Sequence, residues 1–415
     1  MIKKVLNYII DSFAFINIKL LYRNLINHFR HMDRINMILI IALNLIGFLM
    51  IFSSSSMSPW YSALTKGNPY HFIQKQTQWL FLSSIIFLYI LSIPLRKLYN
   101  YAWIIGILNI LALLGVLLFG YEYNNAKSWF DLKVMTLQPA EFVKIGMIIF
   151  LAWYFDAIKR FNNQMKIKNK MLQWFVKFSL AIIFPIGYIT IIFGLVFIQP
   201  DLGSAMALFF IGFIVFLVSG VSIKVIFSLV TLGTLVATPS IYYIITKTKL
   251  IPSYQIMRFK IWLDPFIDPL GYGYQLINGY IAIALGGITG VGLGSSEQKL
   301  GFIPEPYNDF IATIIAEETG LIGIIVVVLI YLVFTLRSLK LILVYENSLY
   351  TSLIVVGVSA MIFMQAFINL GGVSGLIPLT GITLPFISYG GSSLLSMFIG
   401  IGLLQNISAT YTKNR

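Results

Sequence analysis

The chain has 415 residues, of which 58% are hydrophobic and 11% charged, with a mean hydropathy of +0.87 and a formal net charge of +14. Soluble domains average about 25% charged residues, so this composition excludes a water-soluble globular protein. No cysteine and only three histidines are present, which excludes disulfides, thiol chemistry and a Cys/His metal cage.

Residues 1–35 form a basic arm in which Ile2, Val5, Leu6, Ile9, Ile10 and Phe13 recur at helical spacing. That pattern predicts an amphipathic helix lying on a membrane surface, with a partly disordered tail as the alternative. Asp11 interrupts the apolar stretch after Lys3 and Lys4, and no small-residue cleavage site follows, which argues against a cleaved signal peptide. His28 and His31 read as solvated residues of this arm, and His71 stands alone.

Beyond the arm, apolar runs recur that are long enough to cross a hydrocarbon core of about 30 Å. They lack the period-two alternation of a membrane β-barrel. The predicted fold is an all-α polytopic membrane protein of about ten transmembrane helices, at 36–53, 79–95, 101–119, 139–156, 178–198, 203–219, 223–246, 310–336, 349–370 and 383–408. Residues 36–415 read as one membrane domain without internal repeats. One long polar loop, about 247–309, separates the seventh span from the eighth.

Lys and Arg divide 19 against 9 between the two sides, with Lys144 inside a span. The positive-inside rule then places both termini in the cytoplasm and the long loop outside the cell. Because the basic residues sit in short connections between spans, the net charge points to membrane topology and not to nucleic acid.

Ionisable groups inside spans are costly and are functional candidates by default. In Gln138-Pro139-Ala140-Glu141-Phe142-Val143-Lys144, Glu141 and Lys144 share a helix face. Two readings weigh equally there: a structural ion pair, or a charged wall to an outward-opening cavity. Asp201, in Gln199-Pro200-Asp201-Leu202-Gly203, reads as a helix cap. In the long loop Asp264 and Asp268 each precede proline and could be plain turn formers. Their concentration with Arg258, Lys260, Tyr272, Tyr274 and Gln275 within eighteen residues raises them above that. Downstream, Lys299 lies late in the loop, Asp309 opens the next span, and Glu317 and Glu318 lie about two turns deeper. Such a cluster at a membrane surface suits an anionic, lipid-linked substrate.

These stretches resemble the SEDS family, the shape, elongation, division and sporulation proteins. The resemblance rests on Gln138-Pro139-Ala140-Glu141 with Lys144, Gln199-Pro200-Asp201-Leu202-Gly203, Leu263-Asp264-Pro265 through Asp268-Pro269-Leu270-Gly271, and Gly273-Tyr274-Gln275. Pro304-Glu305 with Asp309-Phe310, Glu317-Glu318 with Gly320, and Leu384-Pro385-Phe386 through Ser392 complete it in family order. The segment Gly292 to Leu300 is closer to the division and sporulation branch. Tyr307, Asn308 and Ser128 depart from the family pattern.

The resemblance implies a peptidoglycan glycosyltransferase that polymerises lipid II at the outer face of the bacterial cytoplasmic membrane. It also implies a class B penicillin-binding protein as partner, among other membrane proteins of the division or elongation machinery. Asp268 takes the position of the family's essential loop aspartate, and Glu141 and Lys144 match its fourth-span pair. An α-linked donor and β-linked product require a single inverting displacement. Diphosphate leaves without protonation, so the needs reduce to one base, assigned to Asp268, and cations. Lys144, Arg258 or a divalent cation such as Mg or Mn could supply the latter; no protein metal site is expected. Asp264, Gln275, Lys299, Asp309 and Glu317 are the remaining expected contributors. A lipid II flippase, or a non-catalytic scaffold for the penicillin-binding protein, are the competing readings.

Overall fold

The computed structural model describes residues 18–55, 68–123, 126–131, 135–164, 170–228, 253–344 and 348–412, with the isolated positions 231 and 235. Most of the span expected at 223–246, and residues 1–17 of the arm, lie outside them. Helix α1 (Ile18–His31) is the described part of the arm. It packs on the last turn of α3 (His71–Ser92), where Asn24 donates to the Ser92 carbonyl and His28 Nδ1 lies 2.6 Å from the Leu91 carbonyl. His28 therefore engages the bundle, contrary to the solvated reading, whereas His31 is exposed.

Helix α2 (Arg34–Ser55) is capped by Asp33, whose Oδ1 accepts from the Ile35 and Asn36 amides. The same carboxylate receives Arg337 at 2.8 Å, and Gln405 reads both backbone groups of Asp33. Segments near 33, 337 and 405 thus meet at one end of the bundle, as the same-side placement of the termini requires.

At the opposite end, α4 (Leu95–Phe119) leads into an antiparallel three-stranded sheet absent from the sequence reading: β1 (Tyr121–Tyr123), β2 (Ala126–Asp131) and β3 (Thr136–Leu137). Helix α5 (Pro139–Gln164) starts on a proline, whose missing N–H costs nothing in the first turn. From Val143 to Ala152 it is buried on every face, the mark of a central helix. Helix α6 (Lys170–Phe178) continues through a π turn at Ser179–Ile183 into α7 (Phe184–Ile198). Pro185 just beyond the wide turn has no N–H for the helical ladder, a common origin of such irregularities. Asp201 caps α8 (Leu202–Val218) by accepting the Ser204 amide at 2.9 Å, as expected.

The long loop is not the open polar connection expected. It contains α9 (Ser253–Leu263), a 3-10 turn at Pro265–Ile267, α10 (Tyr274–Gly286) and a second 3-10 turn at Gln298–Leu300. Helix α10 is apolar and packs along α11 (Ile311–Val344), which breaks at Gly320. Gly320 has φ 68° and ψ −167°, and a Cβ there would stand 2.4 Å from the Ile288 carbonyl. The break lets Val291 and Gly292 donate to the Glu317 and Glu318 carbonyls, so loop and helix are laced together.

Helices α12 (Leu349–Val373) and α13 (Gly391–Thr412) are the most buried of the long apolar helices. The last span was expected from residue 383; instead 383–390 are irregular, with Phe386 at φ 65° and Pro385 accepting from the Tyr331 hydroxyl. Among the described residues six helices are long and apolar enough to cross a membrane: α2, α4, the α6–α7 unit, α11, α12 and α13. Helices α3 and α5 match them in length but carry more polar groups, and α8 is shorter. Leucines and isoleucines such as Leu45, Leu49, Ile325 and Leu329 are exposed on the bundle's flank, as lipid contact demands. The protein is a multi-pass membrane protein.

Candidate functional site

The loop aspartates are held by their own turns. Asp264 Oδ1 accepts the Phe266 amide at 3.0 Å, an N-cap of the 3-10 turn, in line with the turn-former reading. Asp268 accepts the Gly271 amide on one oxygen at 3.1 Å and the Tyr272 amide on the other at 2.9 Å. The turn fixes the carboxylate's position and leaves it half-exposed, with unused lone pairs on both oxygens. Gln275 follows in the first turn of α10, half-buried.

Asp309 sits where α11 begins, close to Gly381, and its backbone carbonyl accepts from Asn369 at 2.7 Å. Burial pushes its carboxyl up to about 6, helped by the Glu305 carboxylate. The backbone amides of Asp309 and Phe310 and the positive charge of Arg258 act the other way. Arg258 and Asp309, both expected contributors, are thus electrostatic neighbours. An unfolded aspartate ionises near 3.9, so between about 4 and 6 the folded chain holds a proton that the unfolded chain has lost. The protonated folded state keeps its full relative stability below pH 4, and the cost of charging Asp309 is complete above pH 6. Thermal unfolding in detergent is expected to fall by up to about 3 kcal/mol across that window relative to Asp309→Asn. Parallel pH curves for the two proteins would contradict it.

Glu141 and Lys144 come together as predicted. Lys144 Nζ lies 2.6 Å from Glu141 Oε1, Lys144 has no exposed surface, and Ser396 Oγ of α13 stands 3.2 Å from Glu141 Oε2. The pair is closed on itself in this structure. One turn earlier, Gln138 Nε2 donates to Asp201 Oδ2 at 2.7 Å and its amide N–H donates to Ser392 Oγ at 3.1 Å. The start of α5 is thereby fastened to α8 and α13.

Lys299 and Glu317 also turn out to be buried and partnered. Lys299 Nζ contacts Glu318 Oε1 at 2.8 Å and Ser53 Oγ at 2.9 Å, and Ser53 donates to the same carboxylate oxygen at 2.6 Å. Glu317 accepts the Glu297 and Gln298 amides and the Ser296 hydroxyl. Both acids therefore tie the end of the long loop to α11.

Sequence reasoning passed over a further feature at this end. A cavity of about 350 Å³ is lined by Lys75, Gln78, Trp79 and Leu82 of α3, with Asp131, Met135, Thr136 and Tyr389. Tyr389 links it to the long loop: its amide donates to the Tyr307 carbonyl at 2.9 Å, and the Phe72, Tyr307 and Tyr389 rings form one cluster. Ser392 Oγ lies 3.3 Å from the Thr136 carbonyl, tying the cavity wall to the Gln138 and Asp201 contacts. Among the described residues no three acidic or histidine side chains gather as a metal cage.

This end of the bundle therefore combines half-exposed and near-neutral carboxylates, an arginine and an open mixed cavity on a membrane scaffold. The family described as cell cycle protein, covering FtsW, RodA and SpoVE, matches residues 34–413. The chain belongs to that family. It is 37% identical to the probable peptidoglycan glycosyltransferase FtsW of Bacillus subtilis over 89% of each chain. It is 32% identical to the stage V sporulation protein E of the same organism, over 91% of this chain and 96% of that one. Among solved structures, a chain from a peptidoglycan synthase complex that coordinates polymerization and crosslinking superposes with a TM-score of 0.69 at 28% identity, covering 92% of this chain and 98% of that one. The Thermus thermophilus rod shape determining protein RodA shares the fold, with a TM-score of 0.62 at 22% identity over 92% and 97% of the two chains.

Proposed function

We propose that this chain is a peptidoglycan glycosyltransferase that joins lipid II disaccharides into glycan strands. The observation that carries the reading is identity of 37%, across 89% of both chains, to a probable enzyme of that activity. The chemistry suits the site. Inverting displacement of a lipid diphosphate needs a base on the attacking hydroxyl and positive charge on the leaving group. Asp268 is the proposed base, held half-exposed by its turn. Asp309, whose carboxyl is raised to about 6 by burial, is the second carboxylate with suitable chemistry. Arg258 is the proposed cation on this side, since Lys144 is committed to Glu141. A divalent cation, Mg or Mn, would enter with the diphosphate.

The basic-residue distribution supports cytoplasmic termini and an external site. The structural relative from a synthase complex that couples polymerization to crosslinking supports a class B penicillin-binding protein as partner. Similarity to division and sporulation relatives supports a role in septal wall synthesis.

Purified protein in detergent, mixed with labelled lipid II and its partner, is expected to make polymer resolvable on a gel. Polymer formed without a membrane cannot come from flipping. Absence of polymer from folded, partner-bound protein would overturn the proposal.

A further inference from the structure

Helix α1 is anchored to the end of a long helix. Carbonyls at a helix C-terminus lack the usual helical donors, and at the end of α3 side chains supply them. Asn406 of α13 donates to the Ile90 and Ile93 carbonyls at 2.9 and 2.7 Å, Asn24 donates to Ser92, and His28 Nδ1 contacts Leu91. With 22 residues, α3 is about 33 Å long, so its end lies near the edge of a hydrocarbon core of about 30 Å. The two α1 side chains therefore fix their helix at the depth of the membrane boundary.

Three stripes run along the anchored helix. Asn24, Leu25 and His28 face the bundle. Tyr22, Ile26 and Phe29, spaced i, i+4 and i+7, form an exposed apolar stripe, with Tyr22 65% and Phe29 54% accessible. Arg23 and Arg30, seven apart and so two turns in line, are exposed beyond it. A rotation of about 100° per residue sets the order as bundle, apolar, basic. Residues 18–31 contain no acidic side chain, and neither arginine has an ion pair among the described residues. A helix turned wholly to water has no reason to set three large apolar side chains between its packing face and its charges. The order is the one expected of an interfacial helix, with an apolar stripe in lipid and arginines at headgroup level. Arg96, exposed in the first turn of α4, adds another positive charge at this end.

We infer that α1 is a binding surface for anionic phospholipid, with Tyr22, Ile26 and Phe29 among the acyl chains and Arg23 and Arg30 on headgroup phosphates. The guanidinium fork matches phosphate oxygens, and the basic stripe has no carboxylate beside it to repel them. The basic-residue distribution supports the cytoplasmic leaflet for this end, where anionic headgroups attract such a stripe. The amphipathic pattern from Ile2 to Phe13 lies outside the described residues, and α1 carries a separate one of its own.

The chain has no cysteine, so Ile26→Cys carries a single fluorophore on the exposed stripe of the full chain. The labelled protein is placed in nanodiscs of mixed phosphatidylcholine and phosphatidylglycerol, with one lipid or the other brominated as a contact quencher. Brominated phosphatidylglycerol is expected to quench the label several-fold more than brominated phosphatidylcholine at the same mole fraction. Arg23→Gln with Arg30→Gln is expected to remove most of that preference, at about fivefold per arginine, and lysine at both positions to keep most of it. A label at Leu45→Cys, on the lipid-exposed flank of α2, is expected to show no preference. Quenching by neither lipid would overturn the inference and give the face to water or to a protein. Equal quenching by both lipids would place the stripe in the membrane and overturn the anionic assignment. An unchanged preference in the double glutamine variant would overturn the role of the arginines. The measurement needs no polymerase activity, so its failure leaves the proposed reaction untouched.

Discussion

Asp268→Asn is expected to lose polymerisation of lipid II by about 10²–10⁴-fold while keeping a folded loop, the range typical for removal of a general base. The choice of asparagine follows from the structure. Asp268 accepts two backbone amides, from Gly271 and Tyr272. Asp268→Ala deletes both contacts, at about 1 kcal/mol each, so a loss of activity in alanine alone could come from a disordered turn. Asparagine keeps one carbonyl acceptor on the turn but has no basic oxygen. If Asp268 is only a turn former, Asp268→Asn should polymerise within a few-fold of wild type and Asp268→Ala should be the worse variant. If it is the base, the two should be equally inactive, and both should still bind the partner. The measurement is polymer yield from labelled lipid II in detergent. Near-normal turnover by Asp268→Asn would move the base assignment to Asp309, whose carboxyl is raised toward neutrality by burial.

What was legible in the sequence was what is local in the chain. The Asp201 cap, the Asp264 turn and the Glu141–Lys144 pair each join residues two or three apart, so spacing alone predicts them. The triangle of Ser53, Lys299 and Glu318 was not legible, because Ser53 and Glu318 lie 265 residues apart and meet only through the α2–α11 packing. Lys299 and Glu317 read from the sequence as site residues, with no sign of the contacts that tie the loop to α11. Helix α10 escaped notice because a mostly apolar helix of 13 residues is too short for a span and sat inside a stretch read as polar. The opposite error placed the last span eight residues early: Thr383 to Gly390 is apolar enough to extend the hydropathy signal, yet Pro385 and a left-handed Phe386 keep it irregular. The start of α3 was missed because its first turns are polar. His71, Gln74, Lys75, Gln76 and Gln78 lower the hydropathy of its first turns. Two of those polar residues line the cavity, so the residues that hid the helix start also give the cavity part of its polar side.

The Glu141–Lys144 pair offers the second large effect, and it separates support from chemistry. Removing one member leaves the other's charge buried: Lys144 is wholly enclosed, and Glu141 otherwise has only the Ser396 hydroxyl. Breaking such a pair from one side costs about 3–5 kcal/mol, so Glu141→Gln and Lys144→Met are each expected to lower the melting temperature in detergent by several degrees. Both should lose activity with it, because α5 carries Gln138 against Asp201 and Ser392 one turn above. Removing both charges together removes the uncompensated one, and buried pairs replaced by neutral groups of similar volume are often as stable as the original. The double variant Glu141→Gln with Lys144→Met is therefore expected to melt near wild type and to recover most of its polymer yield. The single variants and the double form a cycle whose coupling energy measures the pair itself, free of the separate cost of each substitution. A double variant that melts like wild type but makes no polymer would mean that the charges act on the substrate, as the walls of a cavity that opens during turnover. A double variant as unstable as the singles would mean instead that α5 needs the ion pair to hold its place against α13.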